Sequence, residues 1–138
     1  MRLLLKIIAY DNKDQNELLP KKFELEHILP QKTGNYDSNG YTEEGLKEII
    51  KYIGNLTLIE KSINIAASNE FFGKKRKTYR NSSIAMTKDL SKFSNWTPES
   101  IINRTSNLIK QLMNIWSVWN NEYDEAAKNF QQKSRRSD

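Results

Sequence analysis

The segment Phe23–Pro30 constrains the fold more than any other part of the sequence, because it combines a clear local pattern with the only histidine of the chain. Apolar residues stand at positions 23, 25 and 29 and acids at positions 24 and 26, which is the period-2 pattern of a half-buried β-strand. Pro30 has no backbone N–H to donate to a sheet, so the strand has to end before it. We therefore predict a strand with Glu26 and His27 near its end.

The residues that follow predict a second strand between helices. Residues 32–41 hold two glycines and several Asn, Asp and Ser residues, which favours a loop, and Thr42 then has the position of an N-cap for a helix over about 42–53. Residues 55–59 alternate and contain β-branched side chains, which indicates a short strand. A helical stretch to about residue 80 follows, so the predicted order is strand, loop with a helix, strand, helix.

The two ends of the chain are less regular. Residues 3–10 are apolar apart from Lys6 and are expected to form either a strand or one buried turn of helix. Thr97, Pro98 and Glu99 are typical of a helix start, and apolar residues at helical spacing up to Trp119 predict that this last helix packs against the core. The resulting division is a lead segment (1–22), a core (23–80), a helical packing region (81–120) and a polar C-terminal tail (121–138) that frays from residue 131.

Composition and charge narrow the classes of function. The chain has 138 residues, no cysteine and a formal net charge of +5. A thiolate metal site is thereby excluded, and any metal must bind to oxygen and imidazole ligands, which favours a hard ion. No apolar run is long enough to span a membrane and no signal peptide is recognisable, so we expect a cytoplasmic protein without a membrane partner. Five basic residues between Lys74 and Arg80 concentrate the positive charge, which suits a polyanionic partner.

An ordered series of motifs resembles one family of nucleases. EHILPQ at 26–31 is followed by GNLTLI at 54–59 and then by Ser62 and Asn64. The later positions in the series are Phe71 or Phe72, Lys74 or Lys75, Tyr79, Ser82, Trp96, Arg104 and Ile115-Trp116. In this order the sequence resembles HNH nucleases, and more closely the C-terminal domain family of GmrSD-type, modification-dependent restriction endonucleases. The resemblance implies an α+β fold, mostly helical, with a ββα-metal core.

Phosphodiester hydrolysis needs a base, a cation and fixed geometry, and the sequence offers a residue for each. A neutral His27 ring is available near pH 7 to take a proton from water. Glu26 offers a negative charge and Asn64 a carbonyl oxygen, which are ligands that Mg²⁺ or Mn²⁺ accepts. Asn64 stands where many HNH proteins have a second histidine, and Asn69 remains an alternative ligand.

Two further roles complete the predicted site. Asn55 is expected to hold the loop after His27 through hydrogen bonds from its side chain to the backbone. The resemblance implies that Lys74 or Lys75 approaches the scissile phosphate, and Lys74 is the residue that we predict to be catalytic. The residues predicted to bind DNA phosphates are Lys74, Lys75, Arg76, Lys77 and Arg80.

Other interpretations stay open at this point. A lone histidine on a strand is more often structural than catalytic, and a basic run is usually a solvated helix face. The runner-up function is therefore a non-catalytic module that binds nucleic acid or protein, and a nuclease that prefers RNA or single strands is a third. In the family that the chain resembles, an N-terminal modification-sensing domain precedes the nuclease, and we see no phosphate-binding glycine loop in these 138 residues, so such a domain or subunit is an expected partner beside DNA.

Overall fold

A computed structural model describes residues 1–31, 40–64 and 71–136 of the chain. It shows an α+β fold that is mostly helical, with a sheet of two antiparallel strands. The α-helices and strands in chain order are α1 (Arg2–Asp11), β1 (Phe23–His27), α2 (Glu43–Ile50), β2 (Leu56–Glu60), α3 (Lys61–Asn64), α4 (Phe72–Tyr79), α5 (Ala85–Lys88) and α6 (Pro98–Arg136). Two short 3-10 helices lie at Ile53–Asn55 and Asp89–Lys92. Most of the predicted 32–41 loop, and Asn69, fall outside the described residues.

The two predicted strands pair with each other. His27, the last residue of β1, lies opposite Leu56, and Glu26 lies opposite Thr57. Because side chains alternate along a strand, Glu24 and Glu26 share one face of the sheet, and Phe23 and Leu25 share the other. The sheet therefore separates two groups of core residues.

One core group lies on each side of the sheet. The first contains Ile59 with residues of α2, α4 and the start of α6. The second contains Leu56 and Leu58 with three residues of α1, namely Leu5, Ile8 and Ala9. The apolar run at 3–10 is thus a complete helix that covers one face of the sheet, which corrects the prediction of a strand or a single turn.

The helix starts agree with the cap residues in the sequence. Thr42 Oγ1 accepts a hydrogen bond from Gly45 N at the start of α2. Pro98 is the first residue of α6, as predicted. The first N–H groups of a helix have no partner within it, so a proline, which has no N–H, is well tolerated there. The end of α2 was predicted less well: the helix stops at Ile50, before Gly54.

Helix α6 differs from the prediction in length and in burial. It continues through the expected tail to Arg136, so its 39 residues extend about 58 Å. Its first half packs on the domain through Ile101 and Leu108, which are buried. Trp116 and Trp119 are exposed instead of packed in the core. Within the described residues, no helix is long and apolar enough to span a membrane.

Candidate active site

Glu26 lies in the interior, at the end of β1 and under α4. Its side chain is almost completely buried, and both hydrogen bonds that its carboxylate accepts from described residues end on Oε1. Lys75 Nζ donates one of them at 2.7 Å and the Tyr79 hydroxyl donates the other at 2.8 Å. Because Lys75 and Tyr79 are four residues apart on one helix, they face the strand together.

Lys75 connects Glu26 with the backbone of the histidine. The side chain is completely buried, and Nζ also donates a hydrogen bond of 2.6 Å to the carbonyl oxygen of His27. Burial lowers the pKa of Lys75 from its ordinary value, while the Glu26 carboxylate favours the charged ammonium. This position corrects the prediction that Lys75 binds DNA phosphates, because an ammonium without contact to solvent cannot reach them.

Tyr79 keeps its proton under all ordinary conditions. Burial raises the pKa of its hydroxyl, and the charge of Glu26 raises the pKa further. A hydroxyl that stays protonated can donate a hydrogen bond permanently. Lys75 and Tyr79 together therefore fix one carboxylate oxygen, and no residue that the structure describes donates a hydrogen bond to Oε2 of Glu26.

His27 has an environment that suits a base. Burial lowers the pKa of its ring below the ordinary value of 6.5; Glu26 opposes this shift and Lys75 adds to it. The ring is therefore neutral at pH 7. Within the described residues, no group forms a hydrogen bond with the ring. The structure thus holds the backbone of His27 firmly, through Lys75 and the pairing of β1, and none of the residues that it describes occupies the ring nitrogens.

Asn55 makes the contacts with the backbone that its sequence position predicted. It is completely buried; Oδ1 accepts from Leu29 N at 2.8 Å, and Nδ2 donates to the carbonyl oxygens of Leu29 and Ile50. Trp96 Nε1 donates to the same Oδ1 at 3.1 Å. The side chain of Asn55 therefore ties residues just after His27 to the start of β2. Whether cleavage depends on this contact stays a prediction.

Asn64 contacts the other end of the same strand. Its Nδ2 donates a hydrogen bond to Oε2 of Glu24, while its buried Oδ1 has no hydrogen-bond partner. A buried polar oxygen without a partner is rare in proteins and calls for an explanation, such as an ion or a water molecule. Asn55 and Asn64 thus both reach the segment 24–29 that carries His27.

A divalent metal ion would have only a small number of protein ligands among these residues. Within the described residues, no group of three or more His, Asp or Glu side chains is arranged to hold an ion. Oδ1 of Asn64 is buried without a hydrogen-bond partner, and no donor among the described residues reaches Oε2 of Glu26. Mg²⁺ commonly uses one or two protein carboxylates and keeps several water ligands, so a carboxylate and an amide oxygen suit it.

A second layer of contacts fixes the strands that carry the site. Arg104 donates to the carbonyl oxygens of Gly54 and Leu56, and burial lowers its pKa to about 10. At the other end of β2, Ser82 Oγ and Ser83 N donate to the carboxylate of Glu60. Burial raises the pKa of Glu60, but these hydrogen bonds outweigh it and the net pKa is lowered. The carboxylate therefore remains charged at neutral pH.

The contribution of Glu24 and the inward position of Lys75 were not predicted from the sequence. Phe72, Lys75 and Tyr79 are all buried and follow the i, i+3, i+7 spacing of one helix face. That spacing was the available signal, because it places Lys75 on the apolar face of an otherwise basic helix. Of the other basic residues on and just after α4, Lys74, Lys77 and Arg80 are exposed, and Arg76 donates to the carbonyl oxygen of Ser91.

Comparison with known proteins supplies one match. The model of a family described as GmrSD restriction endonucleases, C-terminal domain, matches residues 1–111. The comparisons with curated proteins and with solved structures gave no match. The matched region contains β1, β2, α4 and the first part of α6, and therefore every residue of the site described above.

Proposed function

Because this chain belongs to the family of C-terminal domains of GmrSD restriction endonucleases, we propose that it hydrolyses phosphodiester bonds in DNA with His27 as the general base. The observation that carries the proposal is the environment of His27. A burial-lowered pKa keeps the ring neutral, and Lys75 and Asn55 fix the backbone on either side of the ring. The order of two strands followed by helices is the order of a ββα-metal core, which is the fold that we propose for residues 23–80.

In this mechanism His27 takes a proton from a water molecule. The oxygen of that water forms a bond to phosphorus, the bond from phosphorus to the leaving oxygen breaks, and a second water returns a proton to the leaving oxygen. Neutral imidazole is required at the first step, which is consistent with the lowered pKa of His27. The firmly held backbone of residues 27–29 supports this role, because a base has to stay within hydrogen-bond distance of the water.

Glu26 and Asn64 are the residues that we propose to hold Mg²⁺ or Mn²⁺. When bound, such an ion stabilises the negative charge that develops on the phosphate. Lys75 and Tyr79 hold Oε1 of Glu26 and so direct Oε2 away from themselves, which fits a ligand of fixed orientation. Lys75 thus acts as a positioning residue, and Lys74, on the exposed side of the same helix, keeps its proposed role at the scissile phosphate.

The proposed DNA-binding face consists of Lys74, Arg76, Lys77 and Arg80 on and just after α4. Replacement of Lys74, Lys77 and Arg80 by Ala should reduce the slope of log K against log salt by about 0.9 for each phosphate contact that is lost. A matched control removes the same charge elsewhere, at the exposed Lys13, Lys110 and Lys128. An equal loss of slope in both triple variants would show that the effect is one of net charge and would end the assignment of this face.

The roles of base and metal ligand separate in a cleavage assay with varied Mg²⁺. His27→Ala should abolish cleavage at every Mg²⁺ concentration, because the base is missing. Glu26→Gln and Asn64→Ala should instead raise the Mg²⁺ concentration needed for half-maximal cleavage, by about 10- to 100-fold if each removes a ligand or its support. Variants of Glu26 and Asn64 that keep the native Mg²⁺ dependence would contradict the ligand assignment while leaving the base assignment intact.

One observation favours the alternative, a module that binds nucleic acid without cleaving it. Lys75 already neutralises the charge of Glu26 inside the fold, so this part of the site is complete without a metal ion. One experiment distinguishes a nuclease from a module that only binds. A binding module shifts duplex DNA in a gel with equal affinity in native protein and His27→Ala, and neither protein nicks the DNA when Mg²⁺ is added.

A further inference from the structure

The second half of α6 carries an apolar face that, apart from Leu112 at its start, the rest of the described chain leaves largely exposed. Six residues at alternating spacings of four and three form it, and we call this face the C-terminal stripe: Leu112, Trp116, Trp119, Tyr123, Ala126 and Phe130. Trp116 is 68% exposed, and Tyr123 and Phe130 are each 72% exposed. From residue 120 to residue 135 every side chain is exposed except the partly covered Ala127.

The spacing of the stripe is that of a coiled-coil seam. Apolar residues that alternate by four and three positions repeat every 3.5 residues, which keeps them facing a partner helix over several turns. The stripe extends over 19 positions, about 27 Å of helix. A single helix that packs on a domain along its whole length would instead bury these residues, as Ile101 and Leu108 are buried in the first half of α6.

The stripe joins a second exposed apolar surface at its start. Leu4 and Ile7 of α1 form a groove of about 410 Å³ with Ile109, Met113 and Trp116 of α6. Together with Trp119, Tyr123 and Phe130 these side chains present on the order of 800 Å² of apolar surface, given 150–250 Å² for each aromatic side chain. That area equals the contribution of one partner to a stable interface of standard size.

The charges beside the stripe identify the partner. The positions that flank the seam are occupied by Met113, Ile115, Asn120, Glu122, Ala127 and Asn129. Only one of them is charged, so two identical stripes approach each other without repulsion, and no row of charge selects a partner of opposite sign. Three acids (122, 124 and 125) and four bases (128, 133, 135 and 136) nearly balance on this part of the helix, so it does not concentrate positive charge for nucleic acid as α4 does.

We propose that the C-terminal stripe and the adjoining groove of α1 form the interface of a homodimer, in which the second half of α6 pairs with the same helix of a second copy. Most helical stability in proteins comes from packing of an apolar face, and pairing would supply that packing to residues 112–136. All six residues of the stripe lie beyond residue 111, where the family match ends, so this interface is proposed in addition to the nuclease core.

Sedimentation equilibrium of the full chain, without DNA and between about 1 and 100 µM, tests this proposal. The expected result is a species of twice the 16.2 kDa chain mass, with a dissociation constant of about 10 µM or tighter, within the range of standard interfaces. Trp116→Glu and Tyr123→Glu, both at exposed seam positions, should each weaken the dimer by at least tenfold.

The matched control is Val118→Glu. Val118 is 56% exposed and lies on the opposite side of the same helix, so its replacement should leave the dissociation constant within about threefold of native, the scatter usual for a remote surface change. A native chain that remains monomeric at 100 µM would overturn the proposal. The stripe would then be a binding surface for a different protein. Equal weakening by Val118→Glu would overturn it as well. Cleavage is not measured in this experiment, so its outcome is independent of the proposed nuclease activity.

Discussion

The compact part of the molecule and the second half of α6 distribute their side chains in opposite ways. In the compact part, Lys75 and Glu26 are buried as a charged pair. In the second half of α6, Trp116 and Tyr123 are exposed although they are large and aromatic. Lys75 and Glu26 can be buried because they pair with each other inside the chain. The aromatic residues of the C-terminal stripe can be exposed in one chain because, in our proposal, they pack against a second copy of α6.

The buried pair is informative because such a pair is not kept for stability alone. Replacing a buried ion pair by apolar residues is often neutral or stabilising, since desolvation offsets the attraction. Here Lys75 makes a second hydrogen bond, to the carbonyl oxygen of His27, and so connects the acid and the histidine. Geometry at the proposed site is therefore the more direct explanation of the pair than fold stability.

The largest loss of stability is expected from removal of Lys75, in the compact part of the molecule. Lys75→Met leaves the Glu26 carboxylate buried without its ion-pair partner, and the free energy of unfolding should fall by about 3–5 kcal/mol. Urea denaturation measures this loss. Lys77→Met on the exposed side of the same helix is the control and should stay within about 0.5 kcal/mol of native.

A double variant sharpens the same prediction. In Glu26→Gln/Lys75→Met neither charge remains, so much of the stability should return relative to Lys75→Met alone. If Lys75→Met were as stable as the native chain, Glu26 and Lys75 would not form the buried pair described here.

A smaller loss of stability is expected from a change at Gly54, where α6 packs against the 3-10 helix just before β2. A Cβ atom on Gly54 would lie 2.2 Å from the carbonyl oxygen of Ile101, so Gly54→Ala should destabilise the fold by about 1–3 kcal/mol through overpacking. Gly73 is the matched control, because a Cβ there meets nothing within 4 Å and the position is helical. Gly73→Ala should therefore raise stability by about 0.4–1 kcal/mol. Equal effects at the two glycines would contradict the close packing of α6.

The activity of the compact part is also expected to depend on pH. Burial lowers the pKa of His27 below 6.5, and only the neutral ring accepts a proton. The value of kcat/KM should therefore fall about tenfold per pH unit below that pKa, and level off above it. Because His27 is the only histidine, its pKa can be measured separately by NMR of the ring. A kcat/KM that does not fall at pH values below the pKa measured for the ring would exclude His27 as the base.

The smallest effect on the fold is expected in the C-terminal stripe. Tyr123→Ala removes a side chain that is 72% exposed, so the stability of the monomer, measured at a concentration where no dimer forms, should change by less than about 0.5 kcal/mol. A loss above 1 kcal/mol in the monomer would mean that Tyr123 packs within its own chain, and the contrast between the two regions would fail.

The helices and strands that could be predicted are those whose conformation is determined by residues close together in the sequence. The alternation at 23–29, the cap at Thr42 and the proline at 98 each fix a backbone conformation by themselves, and the structure agrees at all three. The helix α1 could not be assigned, because a short apolar run fits a buried strand and a buried helix equally. The polar composition after residue 120 likewise gave no sign that α6 continues to Arg136.

The arrangement of the site depends on contacts that are remote in sequence. The partners of Glu26 lie 49 and 53 positions away, on α4, and although the spacing of Phe72, Lys75 and Tyr79 places Lys75 on the apolar face of that helix, nothing local indicates that Lys75 pairs with Glu26. Asn55 was easier to interpret, because an asparagine at the start of a strand has few partners other than nearby backbone. Its actual partner at Leu29 is nevertheless set by the pairing of β1 with β2.

Cleavage of supercoiled plasmid by the purified full chain tests the central claim most directly. The native chain and His27→Ala are compared at saturating Mg²⁺, with circular dichroism to show that both are folded. We expect the native chain to nick the plasmid only when Mg²⁺ or Mn²⁺ is present, and His27→Ala to be at least 100-fold slower, the usual contribution of a general base. Full cleavage by His27→Ala would contradict the account.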